Sequence, residues 1–425
     1  MRSPIARLKD LSGSETGRAA ELGIAALVGN VVALVFTLVF TRVLGQNGYG
    51  SLAALLSTFL ILTVPGYALQ TTVAREISAA VAAGDPNAGA AVGRWLRRLL
   101  VLVLVVAVVA GLGRHVIAAV IGVKDSPWGA AAAIVGSALW MVLSVERGAL
   151  VGFQRYRLVG VSIVVEQTAR LLFGLALAEA SLGVTGAFLG TPLALAVVAA
   201  ALWRPLRRHV GRHGAVHELP GHRLRDLALR AWAPICALGL IAWLQDGHII
   251  IVKHLASGHD AGAWAAVSVA GKAVMFVAIG LSGYVVPEVA RNAEHGRDPR
   301  PPLLRTVGLI GALAVPMVLV YAVGAKQVLH IAFHVKGGAG ALPLVGLAMS
   351  LLACSYLLTQ FQLALHRTRF MVVLAVAAIA QPLLLLAIGA KLTALALGLA
   401  ALNLTLAGTL ALLALPRRAR VREPV

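Results

Sequence analysis

Long apolar stretches alternate with short polar gaps along most of this chain. The stretches are runs of Leu, Val and Ala, and most approach the roughly 20 apolar residues that a helix needs to cross a bilayer. They do not alternate apolar and polar positions, so helices are favoured over the strands of a membrane barrel. The pattern predicts twelve membrane-spanning helices, at residues 19–40, 51–71, 99–121, 128–143, 158–178, 184–203, 231–252, 262–285, 303–323, 341–363, 370–388 and 392–415.

Basic residues lie mainly in every second gap. With the N-terminus inside the cell, about 28 of the 37 Lys and Arg residues fall in cytoplasmic segments, in line with the positive-inside rule. The pattern therefore predicts a multi-pass protein with both termini in the cytoplasm. It also accounts for the net charge of +20, which in a soluble chain would suggest a nucleic-acid partner. No nucleic acid is expected here. Ala-, Val-, Gly- and Arg-rich usage is typical of a GC-rich bacterial genome, and the expected location is the bacterial inner membrane.

Composition and motifs argue against a soluble enzyme. Only 13% of the residues are charged, against about 25% in a typical soluble domain, which makes the lipid bilayer the expected surroundings. No HExxH, GxSxG or clustered Cys and His ligand set is present, and Cys236 and Cys354 both lie within predicted spans. We therefore expect no enzymatic activity, no cofactor and no metal site.

The two halves of the chain resemble each other. Gly50 and Gly262 follow the outer ends of the first and seventh spans and are 212 positions apart. Arg155 and Arg367 open two Arg-x-Arg segments with the same offset. A duplicated six-span unit keeps its orientation, so the halves are predicted to form two pseudo-symmetric lobes around a central substrate cavity.

The predicted organisation has five segments. A cytoplasmic N-terminal segment and a cytoplasmic tail flank an N-lobe and a C-lobe, which a basic cytoplasmic linker joins. Their residues are, in chain order, 1–18, 19–203 (N-lobe), 204–230 (linker), 231–415 (C-lobe) and 416–425.

Four ionisable residues lie at membrane depth and are not explained by topology. Arg170 is about mid-way along the fifth span, Lys272 about mid-way along the eighth, Glu166 one turn before Arg170, and Asp246 in the seventh. Such groups are energetically costly in a bilayer, so each is a functional hypothesis. Arg170 and Lys272 together would suit a phosphate or pyrophosphate in a low-dielectric cavity.

Each residue also has a structural interpretation. Glu166 and Arg170 can form an i,i+4 pair that neutralises itself, and Asp246 can pair with Lys253 two turns away. Lys272 has no acidic residue within two turns of its own helix. It must therefore find a partner on another helix, lose its proton or face water.

Five stretches carry a family resemblance. Residues 40–50 read Phe-Thr-Arg-Val-Leu-Gly-Gln-Asn-Gly-Tyr-Gly, and residues 70–76 read Gln-Thr-Thr-Val-Ala-Arg-Glu. With the stretches 147–156, 246–264 and 286–291, they resemble the polysaccharide-type (Wzx-like) flippases of the multidrug/oligosaccharidyl-lipid/polysaccharide (MOP) superfamily. The resemblance runs from the first to the eleventh span.

The resemblance implies an all-α membrane fold of two six-helix lobes that alternate access to a central cavity. It implies transport of a polyprenyl-pyrophosphate-linked oligosaccharide from the inner to the outer leaflet. By position, Arg42 and Arg75 match basic residues of the first motif, and Asp246 matches the acidic residue of span 7. Lys272 falls where the motif of span 8 carries a polar or basic residue.

The leading hypothesis is therefore a flippase for cell-surface polysaccharide biosynthesis. A proton or sodium ion is a candidate for coupling, and a glycan polymerase or glycosyltransferases are candidate partners. Two alternatives stay open. One is a proton- or sodium-coupled multidrug exporter of the same superfamily, which should depend on Glu166 or Asp246. The other is a non-transporting membrane scaffold of a glycan-synthesis complex.

Overall fold

The computed structural model describes residues 15–85, 88–210 and 232–414, with side chains from residue 21 onward. Every regular element in this part of the chain is a helix. Most of the predicted N-terminal segment 1–18, most of the linker 204–230 and the tail 416–425 lie outside the described residues.

Two compact units make up the chain, unit 1 as far as Ile235 and unit 2 from Cys236 onward. The helices of unit 1 are α1 Glu15–Val43, α2 Gly45–Leu62, α3 Val64–Ala82, α4 Ala88–Leu112, α5 Arg114–Ile121, α6 Pro127–Gly152, α7 Tyr156–Leu177 and α8 Gly183–Leu206. The later helices are α9 Trp232–Leu255, which begins just before the boundary, α10 Gly258–Gly271, α11 Ala273–Glu294, α12 Arg300–Gln327, α13 Leu342–Ala364, α14 Phe370–Ile388 and α15 Leu392–Ala414.

Eleven helical stretches in the described residues are long and apolar enough to cross a membrane. One of them, Tyr156–Leu206, is a hairpin of α7 and α8, because the backbone leaves the helical region at Ala180 and Ser181. The two arms pack so closely that a Cβ on Gly190 would lie 2.3 Å from the backbone nitrogen of Gly174. Counting the arms separately gives twelve spans, in agreement with the apolar pattern.

Breaks within spans were not predicted. The second span is divided into α2 and α3 at Thr63, where Pro65 lacks the N–H that a continuous helix would use. The third is divided at Gly113 and the eighth at Lys272, which ends α10 and begins α11. Each break is short, so the apolar stretch continues through it.

The predicted end of the fourth span was wrong. The span was expected to end at Leu143, but α6 continues to Gly152 and includes Glu146 and Arg147. Both charged side chains are buried, each 3% exposed. The helix can continue through them because Arg147 finds an acidic partner on α7.

A shared backbone geometry supports the duplication. Helix α3 ends with Gly84 in the left-handed region and a hydrogen bond from Asp85 N to Ala80 O of 2.9 Å. Helix α11 ends in the same way at Gly296, with Arg297 N donating to Asn292 O at 2.8 Å. Both are Schellman-type ends, and all three pairs of positions are 212 apart.

Helices α6 and α13 are the most enclosed spans of their units, each with 72% of its apolar window buried. In unit 1, α6 packs on α3, α4 and α8, and a Cβ on Gly148 would lie 2.5 Å from Gln70 O of α3. In unit 2, α13 packs on α11, α12 and α15. Charged groups on or beside these helices are therefore shielded within their own unit.

Candidate functional site

A buried ion pair joins α6 and α7. Arg147 Nη2 lies 2.8 Å from Glu166 Oε2, and the two side chains are only 3% and 4% exposed. Arg147 Nε donates to Ser162 Oγ at 2.9 Å, and that hydroxyl donates to Val159 O at 2.7 Å. The guanidinium is thus held at two points, and removing one partner of such a pair leaves an uncompensated buried charge.

The spacing along α7 explains how the polar groups are aligned. Ser162, Glu166 and Arg170 follow one another at intervals of four residues, so they share one face of the helix. The i,i+4 pairing of Glu166 with Arg170 considered from the sequence is not formed. The carboxylate of Glu166 is directed to Arg147 on α6 instead.

Arg170 is a partly buried cation that packs on aromatic rings. Its guanidinium carbon lies 5.2 Å from the ring centroid of Phe36 and 5.8 Å from that of Phe59. Within the described part of the chain it forms no salt bridge, and its Nε has no hydrogen-bond partner. Ring faces attract a cation but do not neutralise it, so this guanidinium keeps the capacity to bind an anion.

Two aromatic side chains extend the polar region on the α3 side. The Trp140 ring centroid lies 5.6 Å from the guanidinium carbon of Arg147 and 5.0 Å from the ring of Tyr67. Trp140 Nε1 and Ser144 Oγ are buried and, among the described residues, have no hydrogen-bond partner. Unit 1 therefore presents several unused donors at membrane depth.

Unit 2 contains a second buried ion pair. Lys272, only 5% exposed, lies at the α10–α11 break and donates from Nζ to Asp246 Oδ1 of α9. Gln245 Nε2 donates to the other carboxylate oxygen, Asp246 Oδ2, at 3.1 Å. The pairing of Asp246 with Lys253 considered from the sequence is replaced by this one. Of the three possibilities for Lys272, the structure shows a partner on another helix.

Arg42 and Arg75 are both exposed. Arg42 lies in the last turn of α1, where a long side chain can extend to the interface. Arg75 lies in α3, on the far side of the Thr63 break from α2. Their roles remain those implied by the family resemblance.

Sequence reasoning missed Glu146 and Arg147 as buried charges. Both follow a largely apolar run, and Gly148, the first glycine after Arg147, is buried inside the continuing helix. The available signal was the absence of Gly, Pro, Asn and Asp between Leu143 and Arg147. Glu146 Oε2 has no hydrogen-bond partner in the described chain. Among the residues that the structure describes, no three His, Cys, Asp or Glu side chains are grouped so that they could hold a metal ion.

Comparison with models of protein families finds no match, and comparison with curated proteins finds none. Several solved structures share the fold. An inward-facing multidrug resistance MATE family transporter of the MOP superfamily has a TM-score of 0.76 at 12% identity, with 93% of this chain and 97% of that chain covered. The lipid II flippase MurJ in an inward closed conformation has a TM-score of 0.72 at 9% identity, covering 92% and 87%.

A MOP superfamily transporter from Pyrococcus furiosus, described as having a binding pocket of reverse polarity, has a TM-score of 0.64 at 14% identity, covering 96% of each chain. At these identities the likeness establishes the fold. The chain has the all-helical fold of MOP superfamily transporters, as expected, and the three similar proteins are transporters and a flippase rather than enzymes.

Proposed function

We propose that this protein is a flippase that moves a polyprenyl-pyrophosphate-linked oligosaccharide from the inner to the outer leaflet by alternating access. The observation that carries the proposal is Arg170, a cation at membrane depth without a salt bridge in the described chain. Keeping such a charge in a bilayer is costly, and a pyrophosphate group would offset that cost while the substrate is bound.

The remaining groups of unit 1 suit the rest of such a headgroup. Trp140 Nε1 and Ser144 Oγ are unused donors in the described chain, and sugar hydroxyls are acceptors. The prenyl tail would stay in lipid, where it requires no polar partner. Arg42 and Arg75 are proposed as further contacts on the strength of the resemblance, in a bacterial inner membrane with both termini in the cytoplasm.

The residues expected to serve a cation exporter are engaged elsewhere. Glu166 is bound to Arg147 and Asp246 to Lys272, so neither carboxylate is left to balance a cationic drug. One observation does favour a proton- or sodium-coupled exporter as the second candidate. Glu146 is buried in α6 with a carboxylate oxygen that has no partner among the described residues.

The test is flipping of a fluorescently labelled lipid-linked oligosaccharide in proteoliposomes containing the Arg170→Ala variant. Arg114→Ala is the matched control, because Arg114 is also partly buried and packs on an aromatic ring, 4.7 Å from the centroid of Trp128. We expect a loss of at least about tenfold for Arg170→Ala, corresponding to one charged hydrogen bond, and little change for Arg114→Ala.

Equal flipping by both variants and the unaltered protein would exclude the role of Arg170. Efflux of a cationic dye that is lost in Glu146→Gln, without any flipping, would support the exporter. A scaffold would be indicated if neutralising every buried charge left polysaccharide synthesis intact.

A further inference from the structure

One carboxylate in unit 1 lies beside two arginines. Glu166 is bound to Arg147 of α6, and it precedes Arg170 by four residues on α7. Side chains at i and i+4 of a helix have their Cβ atoms about 5–6 Å apart, and a Glu four residues before a basic residue is the favourable order. Glu166 can therefore reach Arg170 by rotating its side chain, without any movement of the backbone.

The arrangement allows two alternative pairings. Arg147 is oriented by Ser162 and by the Trp140 ring, so it presents Nη2 to Glu166 at 2.8 Å. Arg170 is held against Phe36 and Phe59. Glu166 Oε2 is directed to Arg147, and Glu166 forms no salt bridge with Arg170 in the described chain, so in each pairing the other arginine is left without an ion pair to Glu166. In the observed state that arginine is Arg170.

The second state has some compensation already in place. When Glu166 turns to Arg170, Arg147 keeps its hydrogen bond to Ser162 and its position against Trp140. Arg147 therefore keeps two of its contacts when Glu166 leaves, which lowers the difference in free energy between the two pairings.

We propose that Glu166 is an exchangeable internal counterion that controls the release of the substrate anion from Arg170. This rests on the proposed function, in which Arg170 binds the pyrophosphate. With Glu166 on Arg147, Arg170 accepts the anion. With Glu166 on Arg170, the carboxylate takes the place of the phosphate oxygens and the anion leaves.

The experiment measures binding of farnesyl pyrophosphate, a short prenyl pyrophosphate, to the purified full-length protein in nanodiscs by titration calorimetry. In Arg147→Met, Glu166 loses its partner and pairs with Arg170, so we expect the Kd to rise by about tenfold or more. In the double variant Arg147→Met/Glu166→Gln the competitor is gone, and the Kd should return to within about threefold of the unaltered protein.

The double variant has the same net charge as the unaltered protein, so recovery of binding would not be an effect of overall charge. Glu166→Gln alone should lower the Kd several-fold and at the same time slow the flipping of the lipid-linked glycan, because release is impaired. A purely structural role for the ion pair predicts instead that Glu166→Gln weakens binding and that the double variant is no better than Arg147→Met.

Arg170→Gln separates this proposal from the one it rests on. If Arg170→Gln binds the probe as well as the unaltered protein, Arg170 is not the anion site and the proposed function loses its support. If Arg170→Gln abolishes binding but Arg147→Met and Glu166→Gln bind normally, only the counterion exchange is wrong. Should Arg147→Met not fold, Glu166→Gln is compared with Glu166→Gln/Arg170→Gln instead. Tighter probe binding by Glu166→Gln, together with no binding by the double variant, supports the exchange. Unchanged binding by Glu166→Gln overturns it.

Discussion

Gln154 and His366 adopt the same left-handed backbone conformation at equivalent helix ends, 212 positions apart, with φ of +60° and +53°. Arg155 N donates to Leu150 O at 2.7 Å, and Arg367 N donates to Gln362 O at 3.0 Å. Both helices thus end in a Schellman motif, although the left-handed position usually holds glycine. The two turns share this geometry although their residues differ.

Glycine at either position should stabilise the protein. A non-glycine residue in the left-handed region costs about 1 kcal/mol, which Gln154→Gly or His366→Gly would remove, and the larger entropy of the unfolded glycine would offset part of the gain. We expect a small increase in the apparent Tm in detergent, measured by scanning fluorimetry. Gln327→Gly is the control and should lower the Tm, because Gln327 has a helical φ of −65°.

A lower Tm in Gln154→Gly would show that the glutamine side chain contributes more to the turn than its backbone strain costs. If His366→Gly does not lower the Tm as well, the loss of stability is particular to the turn of unit 1.

The helical architecture was largely predictable from the sequence, because it depends on local apolar length. The span at 370–388 matches α14, and the span at 392–415 differs from α15 by one residue. Breaks were harder to predict, since the break at Lys272 is preceded by one glycine, Gly271, and a single glycine inside an apolar run does not by itself end a helix. A short change in backbone direction leaves the apolar run intact.

The sequence pointed to four of the ionisable residues described above, but to neither Arg147 nor the pairings between helices. Arg170, Lys272, Glu166 and Asp246 were all identified at membrane depth, yet their pairs are formed between helices. The i,i+4 rule describes one helix and contains no information on its neighbours. Which helices lie side by side depends on packing of the whole unit, and this packing brings Arg147 to Glu166.

The pair of Lys272 and Asp246 should contribute to stability mainly as a unit. Asp246→Asn leaves a buried ammonium without compensation, and we expect a loss of about 3–5 kcal/mol. The double variant Asp246→Asn/Lys272→Met removes both charges and should recover most of that loss. Unfolding followed by tryptophan fluorescence in mixed micelles measures the difference.

The same double variant tests whether Lys272 binds substrate. Because Asp246 already neutralises Lys272, we expect flipping by the double variant to stay within about threefold of the unaltered protein, which is less than the loss of one charged hydrogen bond. A loss as large as that of Arg170→Ala would place Lys272 in the substrate site.

Packing of α6 on α3 requires glycine at position 148. A Cβ there would lie 2.5 Å from Gln70 O, so Gly148→Ala must push the two helices apart. Overpacking of this kind costs about 1–3 kcal/mol. Gly311→Ala in α12 is the control, since nothing lies within 4 Å of its Cβ, and it should be neutral or slightly stabilising.

Displacement of α6 would also move Arg147 away from Glu166. We therefore expect Gly148→Ala, but not Gly311→Ala, to weaken binding of farnesyl pyrophosphate in the same direction as Arg147→Met. Normal binding by a destabilised Gly148→Ala would mean that the ion pair tolerates a shift of the helix.

Trp140→Phe separates the contribution of the indole ring from that of its N–H. Phenylalanine keeps an aromatic face for Arg147 and Tyr67 but removes the Nε1 donor, which has no protein partner in the described residues. An unused buried donor is unfavourable by about 1–3 kcal/mol, so its removal should leave the apparent Tm unchanged or raise it.

If a sugar hydroxyl is the missing partner, flipping of the lipid-linked glycan should nevertheless fall by about tenfold. Binding of farnesyl pyrophosphate, which has no sugar, should not change. Reduced flipping with unchanged probe binding would assign Trp140 to the glycan, whereas equal loss of both would assign it to the support of Arg147.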